Sequence, residues 1–125
     1  ACPLAIRVPN RVLLTHSLPP LKSLAGFDGT RLEGDDFGDA DYLPGGLLYG
    51  LLWGRDTTER TAVEFLRRMD ADLLVTGHIK TDDGYAVPNG VQLIVDSAGS
   101  PCGYVRFPAD RPLTHAELVA GVVTF

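Results

Sequence analysis

Two histidines follow short apolar runs, and they are the residues of this chain best suited to binding a metal ion. His16 comes directly after Val12-Leu13-Leu14-Thr15, and His78 follows an apolar run over residues 73–75 and then Thr76-Gly77. Such runs are typical of buried strands, and ligands commonly bind where parallel strands end. Neutral imidazole is a good ligand for Mn, Fe or Zn. If the two strands are parallel neighbours, we expect both side chains at one edge of the sheet, within reach of one ion.

Each histidine also has a plainer interpretation. A single histidine beside an apolar strand is more often a hydrogen-bonded structural residue than a ligand. Arg55 is a third candidate, since a guanidinium meets the oxygens of a phosphate through two parallel donors. It precedes a predicted helix start, which favours anions. Its alternative is a surface arginine in front of a helix.

The elements that would position these residues predict an α/β fold. Two runs, residues 4–8 and 12–15, flank the turn dipeptide Pro9-Asn10 and predict a hairpin leading into His16. Asp56, with Glu59 three residues later, predicts a helix start. The helix then carries a core stripe at positions i, i+3, i+4 and i+7, formed by Ala62, Phe65, Leu66 and Met69. A helix followed by a buried strand is the order of an αβ unit on a central sheet.

Beyond His78 the pattern favours antiparallel strands. Residues 84–87 and 91–95 are joined by Pro88-Asn89-Gly90, a strong hairpin signal. Residues 103–107 predict a third antiparallel strand. Thr114 and Glu117 have capping-box spacing, so we expect His115 to lie on the surface in the first turn of a helix.

Four kinds of segment follow one another along residues 11–107: a strand-end His, a Leu-Leu-Trp segment, a Gly-His strand end with Gly-Tyr after it, and a Ser-Ala strand followed by Cys-Gly. They are Thr15-His16-Ser17-Leu18-Pro19, Leu51-Leu52-Trp53-Gly54-Arg55-Asp56, Gly77-His78 with Gly84-Tyr85, and Val95-Asp96-Ser97-Ala98 with Cys102-Gly103. In this order they resemble the carboxy-terminal half of a calcineurin-like metallophosphoesterase, closest to the phosphoprotein phosphatase branch and its bacterial diadenosine-tetraphosphatase relatives. The resemblance implies half of an α/β/β/α sandwich with mixed sheets.

The resemblance also implies a site. His16 and His78 would be ligands of the same ion in a centre of two divalent metals, Mn, Fe or Zn. Arg55 would be the catalytic residue that binds the substrate phosphate and neutralises charge on its equatorial oxygens. The metals would polarise the phosphoryl group and lower the pKa of a bridging water that attacks phosphorus.

The other motifs of that family are absent from these 125 residues. Asp-x-His, Gly-Asp-x-x-Asp and Gly-Asn-His, which supply the remaining ligands and the general acid, have no counterpart, and Lys80 stands where a Gly-His-x-His motif would have its second His. Hydrolytic metal sites ordinarily have three or more protein ligands. We therefore interpret residues 1–125 as one domain that is the carboxy-terminal part of a longer catalytic domain, incomplete for catalysis alone. Its expected partners are the missing amino-terminal half and a phosphorylated substrate.

Residues 26–46 form an acidic, glycine-rich stretch that we expect to be a long loop. It contains six acidic residues and one arginine, so it accounts for the whole net charge of −5. Long loops in compact domains are usually functional or disordered, and in the resemblance this one borders the cleft and repels polyanions. A calcium site over residues 35–41 is an alternative, but the closing Glu of a hand-type loop is missing. No basic stripe indicates nucleic-acid binding.

Composition, with 45% hydrophobic residues, is that of an ordinary globular domain. No stretch approaches 18 consecutive apolar residues, so no membrane association is expected. Cys2 and Cys102 form neither a CxxC motif nor a framework of pairs, which favours free thiols and a cytoplasmic location.

Together these observations predict a metal-dependent phosphohydrolase acting on a phosphoprotein or on a small phosphate ester or anhydride. The alternative is a non-catalytic α/β interaction module that keeps the sheet, has a degenerate metal site and binds a partner through its acidic loop.

Overall fold

The computed structural model describes residues 2–125 and is a mixed α/β domain built on a five-stranded sheet. The strands lie in the order β1-β2-β3-β5-β4. Their bounds are Ala5–Arg7 (β1), Val12–Thr15 (β2), Leu73–Thr76 (β3), Tyr85–Ala86 (β4) and Gln92–Val95 (β5). The helices are Leu21–Leu24 (α1), Leu47–Trp53 (α2), Glu59–Arg68 (α3) and His115–Ala120 (α4). The α/β class expected from the sequence is confirmed.

The centre of the sheet is parallel and both its edges are antiparallel. Strand β2 pairs in parallel with β3, and β3 with β5, so that Thr76 lies between Thr15 and Ile94. The hairpin partners β1 and β4 close the two sides. The three central strands therefore end at the same edge, which is the arrangement expected to bring His16 and His78 together.

The first hairpin has a three-residue loop, Pro9-Asn10-Arg11. Arg11 N–H donates to Val8 O, and Val8 N–H to Val12 O. Arg11 closes the loop at φ 67°, the left-handed position that such a loop requires of its last residue. Its guanidinium pairs with both oxygens of Asp72 at 2.9 Å and with Asp70 at 2.7 Å. These contacts clamp the loop to the start of β3, and the predicted hairpin is confirmed.

Alternating side chains of the sheet divide between two hydrophobic clusters. On one face Leu13 and Leu74 pack with α3 through Ala62, Phe65 and Leu66, all buried. The other face packs against Leu118 of α4, through Val12, Leu73, Val75 and Leu93. The predicted stripe of α3 is thus core, although Met69 lies just beyond the helix and only partly buried.

The start of α3 differs from the prediction. The N-cap position is Thr58, not Asp56. The Asp56 carboxylate instead accepts hydrogen bonds from the N–H and hydroxyl of Thr58 and from the Thr61 hydroxyl. These bonds hold the turn before the helix.

The carboxy-terminal part differs as well. Strand β6 (Gly103–Val105) does not extend the hairpin of β4 and β5 but pairs with β7 (Val122–Thr124) in a separate two-stranded sheet. Strand β7 was not expected from the sequence, because its three residues are too few for a period-two signal. His115 is half-buried, with Nε2 2.9 Å from Gln92 O, so it is not the free surface residue that was expected.

The acidic stretch is a folded loop with two short 3-10 helices, Gly29–Glu33 and Asp39–Tyr42. Arg31 pairs with both oxygens of Asp41 at 2.9 Å, and Gly38 N–H donates to Asp41 as well. Within residues 2–125 no helix has both the length and the apolar character needed to cross a bilayer.

Candidate functional site

His16 and His78 meet at the carboxyl edge of the parallel strands. His16 Nε2 lies 2.9 Å from His78 Nδ1, and the ring centroids are 4.7 Å apart. The two residues are 62 positions apart in the chain and are brought together by the pairing of β2 with β3, which Gly77 N–H extends by donating to His16 O. The expected convergence of the two histidines is present.

His78 is held in an uncommon backbone conformation. Its φ is 64°, and Ile79 N–H donates to Gly77 O at 2.7 Å across it, which makes a γ-turn. Turns of this kind with positive φ are rare and strained, and strain in a residue other than glycine tends to occur at functional sites. The turn aims the imidazole along the edge toward His16 instead of away from the sheet.

The second nitrogen of His78 is buried without a partner. Nε2 is enclosed and makes no hydrogen bond with any of residues 2–125, while Nδ1 faces His16. Above the ring lies Trp53, with centroids 5.9 Å apart and planes at 85°. The indole is itself 62% exposed, so it shields His78 on one side and faces the solvent on the other.

The segment that follows His16 is joined to helix α2 by hydrogen bonds and close packing. Ser17, only 2% exposed, donates its hydroxyl to Leu51 O at 2.6 Å and lies 3.2 Å from Gly50 O. At Gly54 a side chain would collide with the carbonyls of Leu18 and Gly50. These contacts fix Trp53, which precedes Gly54, relative to His16. Helix α2 was not expected from the sequence, because its apolar residues surround Gly50, a poor helix former.

Arg55 follows directly and is exposed, and it makes no ion pair or side-chain hydrogen bond within residues 2–125. Its expected place at a helix start is wrong: α3 begins four residues later, and Arg55 instead follows the carboxyl end of α2. It lines a cavity of about 330 Å³ together with Trp53 and Lys22. Any anion preference there comes from side-chain charge and not from the dipole of α3.

Burial, the neighbouring His16 and the positive charge of Arg55 lower the pKa of His78 below its ordinary value of 6.5. Each cause disfavours a second proton on the ring. A neutral His78 has one ring N–H and one lone pair, so it either accepts or donates at Nδ1 in the contact with His16, and only the tautomer with its lone pair on Nδ1 can bind a metal there.

The distance between the two ring nitrogens is that of adjacent ligands of one metal ion. Donor nitrogens 2.9 Å apart, each about 2.1 Å from an ion, would subtend about 90° at the metal, a fit to octahedral Mn more than to tetrahedral Zn. No cluster of three or more His, Cys, Asp or Glu residues suited to a metal occurs in residues 2–125. By distance the two ring nitrogens suit two adjacent ligands of one ion and no more, but they now share a hydrogen bond, so metal binding requires both nitrogens to be deprotonated and turned toward the ion.

Asp96 also lies at this edge, at the end of β5, and was not singled out from the sequence as a functional residue. It is 9% exposed, and its two oxygens accept from Thr81 N–H and Ala98 N–H, each at 2.8 Å. These backbone hydrogen bonds lower the pKa of the carboxyl group. With both oxygens engaged, Asp96 orders the loop after His78. In the sequence, the position of Asp96 directly after an apolar run could have indicated that it lies at this edge of the sheet.

The acidic loop reaches the same region. Pro44 and Gly45, near its end, line the cavity with Arg55, while the expectation that the loop borders a catalytic cleft stays a prediction. Asp41, which the calcium alternative would use, is held by Arg31 and Gly38.

Neither a protein-family model nor any curated protein matches the chain.

Proposed function

We propose that this chain is the carboxy-terminal part of a calcineurin-like metallophosphoesterase domain, half of an α/β/β/α sandwich with mixed sheets. Its function would be metal-dependent hydrolysis of a phosphoprotein or a small phosphate ester or anhydride. The observation that carries the proposal is the approach of His16 Nε2 to His78 Nδ1 at 2.9 Å. Two ring nitrogens at that distance, at the end of parallel strands, suit two adjacent positions around one ion.

His16 and His78 would hold one ion of a two-metal centre. When bound, divalent ions of this kind polarise a phosphoryl oxygen and lower the pKa of a coordinated water. The remaining ligands would come from an amino-terminal segment outside these residues, so this polypeptide alone is proposed to be inactive.

Arg55 is proposed to bind the substrate phosphate. Its guanidinium is exposed, unpaired within residues 2–125 and on the same cavity as Trp53, which contacts His78. A planar fork of N–H donors matches two phosphate oxygens and offsets negative charge that increases in the transition state. Trp53 covers one side of His78 and limits access of water to that ring.

A cytoplasmic location belongs to the same proposal. It is supported by Cys2 and Cys102, which are both free thiols in the structure.

The competing function is an interaction module in which the histidines are relics. It is favoured by the hydrogen bond through which the two rings already satisfy each other. Calorimetric titration with Mn²⁺ separates the two. We expect binding that falls at least tenfold in His16→Ala and His78→Ala but not in His115→Ala, the third histidine of the chain. Binding equal in all four proteins would exclude the metal site.

A further inference from the structure

One lysine and one arginine, neither of them in an ion pair within residues 2–125, line the same cavity. Lys22 and Arg55 both line the space of about 330 Å³ beside Trp53, both are exposed, and neither makes an ion pair within residues 2–125. Most other arginines are paired with carboxylates, among them Arg7, Arg11, Arg31, Arg67, Arg68 and Arg111. In a chain of net charge −5, this cleft is a local concentration of uncompensated positive charge.

The backbone that carries each cation is joined to the segment that leaves His16. Lys22 lies in α1, which begins directly after Pro19-Pro20 on the segment that leaves His16. Pro19 packs against Gly50 of α2, where a Cβ would come within 3.1 Å of the proline ring. Arg55 follows Gly54, which packs on Leu18 of that segment. Packing between α2 and the segment that follows His16 therefore holds the backbone at Lys22 and at Arg55 in place, while neither histidine lines the cavity that the two cations share.

We propose that Lys22 and Arg55 form a second anionic subsite, so that the preferred substrate carries two phosphoryl groups, as a phosphoanhydride or bisphosphate does. This inference rests on the proposed function, since it takes the phosphate nearer the histidines to be the reacting one. Lys22 is then a specificity-determining residue. Its compact ammonium supplies a point charge for the second phosphoryl group, while the planar guanidinium of Arg55 binds the first through paired N–H donors.

The size and surroundings of the cleft limit the substrate. A volume of about 330 Å³ lies at the lower end of small-molecule sites, which span roughly 300–1,000 Å³. Beyond Lys22 the cleft continues into a second cavity, of about 630 Å³, that shares Lys22, Ser23 and Gly45 but is bordered by Asp28 and Asp41 of the acidic loop. Arg31, which pairs with Asp41, also lines this second cavity, so Asp28 is the acidic residue there without an ion pair within residues 2–125, and its carboxylate opposes a longer anionic chain. Two phosphoryl groups should bind, and further ones should add little.

Trp53, the only tryptophan in the chain, reports on this cleft by its fluorescence. The experiment titrates the metal-free protein with orthophosphate, pyrophosphate and tripolyphosphate at constant ionic strength, with calorimetry in parallel. We expect pyrophosphate to bind about tenfold more tightly than orthophosphate, and tripolyphosphate to gain less than threefold more. Lys22→Gln should remove most of the pyrophosphate preference while leaving orthophosphate binding nearly unchanged. Arg106→Gln, which removes an exposed arginine outside the cleft, should change neither.

Equal affinity for the two smaller anions, absence of binding by both methods, or the same loss in Arg106→Gln as in Lys22→Gln would overturn the subsite. Because metal is excluded, these outcomes are independent of the Mn²⁺ titration. If metal binding did not depend on the histidines but the pyrophosphate preference were intact, the proposed phosphohydrolase function would be refuted and the proposed anionic subsite would stand. Histidine-dependent metal binding without a pyrophosphate preference would refute only the role of Lys22 and leave the proposed phosphohydrolase standing.

Discussion

The hydroxyl of Ser17 donates to the carbonyl of Leu51 at 2.6 Å, and this bond joins the residue after His16 to the last turn of α2. Both partners are buried. Because Trp53 lies two residues beyond Leu51, the bond sets the distance between the first histidine and the indole that covers the second.

Ser17→Ala should therefore destabilise the protein and loosen the site. It leaves the end of α2 without a donor for a buried carbonyl, which costs about 1–3 kcal/mol. Urea unfolding followed by circular dichroism measures the loss. Ser23→Ala, whose hydroxyl makes no such bond, is the control. Equal stability of the two variants would show that the Ser17 bond is unimportant.

Two substitutions of His78 should distinguish the strain of its backbone from the role of its side chain as a metal ligand. At φ 64° glycine is favoured over alanine by about 1 kcal/mol, so His78→Gly should unfold at a higher urea concentration than His78→Ala. Both should lose Mn²⁺ binding alike. If alanine proved as stable as glycine, the backbone conformation at this turn would not be strained.

The protonation of His78 should respond to its neighbours in a defined direction. Its pKa is lowered by burial, by His16 and by Arg55, so His16→Gln and Arg55→Gln should each raise it toward 6.5. Titration of the imidazole Cε1 proton by NMR in metal-free buffer measures the change. An unchanged pKa in both variants would contradict the assignment of these causes.

A consequence for stability follows from the same shift. Because the unfolded chain takes up this proton more readily than the native one, His78 contributes stability that is full above pH 6.5 and is lost as the pH falls through the lowered pKa of the native state. The melting temperature of the wild type should therefore drop over that interval more than that of His78→Gly.

Gly54→Ala should be among the more damaging single changes in the chain. A Cβ at this position meets the carbonyls of Leu18 and Gly50, and backbone has to move to admit it, at a cost of about 2–4 kcal/mol. Thermal unfolding of Gly54→Ala should be compared with that of Gly26→Ala, where nothing lies within 4 Å of the added carbon. Similar melting temperatures would mean that α2 does not need the close contact.

Arg55→Lys keeps the charge and loses the planar fork. We expect orthophosphate to bind roughly tenfold more weakly, equivalent to about 1.4 kcal/mol. Trp53 fluorescence provides the measurement, and Arg60→Lys on the exposed side of α3 is the matched control. Unchanged affinity would indicate that Arg55 acts only through its charge.

The sheet was predictable where side chains alternate or form short apolar runs between turn signals. The hairpins at Pro9-Asn10 and Pro88-Asn89-Gly90 and the stripe of α3 follow from such local patterns. The meeting of the two histidines needed one further assumption, that the strands before them are parallel neighbours. Strand β7, by contrast, is stabilised by pairing with β6 from a distant part of the chain, which no local pattern reveals.

The site was predictable only as far as strand ends could locate it. His16 and His78 stand directly after strands, whereas Lys22 belongs to a four-residue helix and enters the cleft because Pro19 packs on α2. The enclosure of His78 Nε2 and the cover given by Trp53 depend on tertiary packing in the same way. Residue type alone could not distinguish Lys22 from any other surface lysine.

The γ-turn at His78 and the strand pairing beneath it make the histidine pair a product of long-range folding. Residues 62 positions apart have to be joined by the parallel pairing of β2 and β3, and closing such a loop is slow compared with forming a local turn. A synthetic peptide around either histidine should hold Mn²⁺ no better than free imidazole. During refolding, the appearance of metal binding should then mark the moment when the centre of the sheet has formed, which makes the ion a kinetic probe of topology.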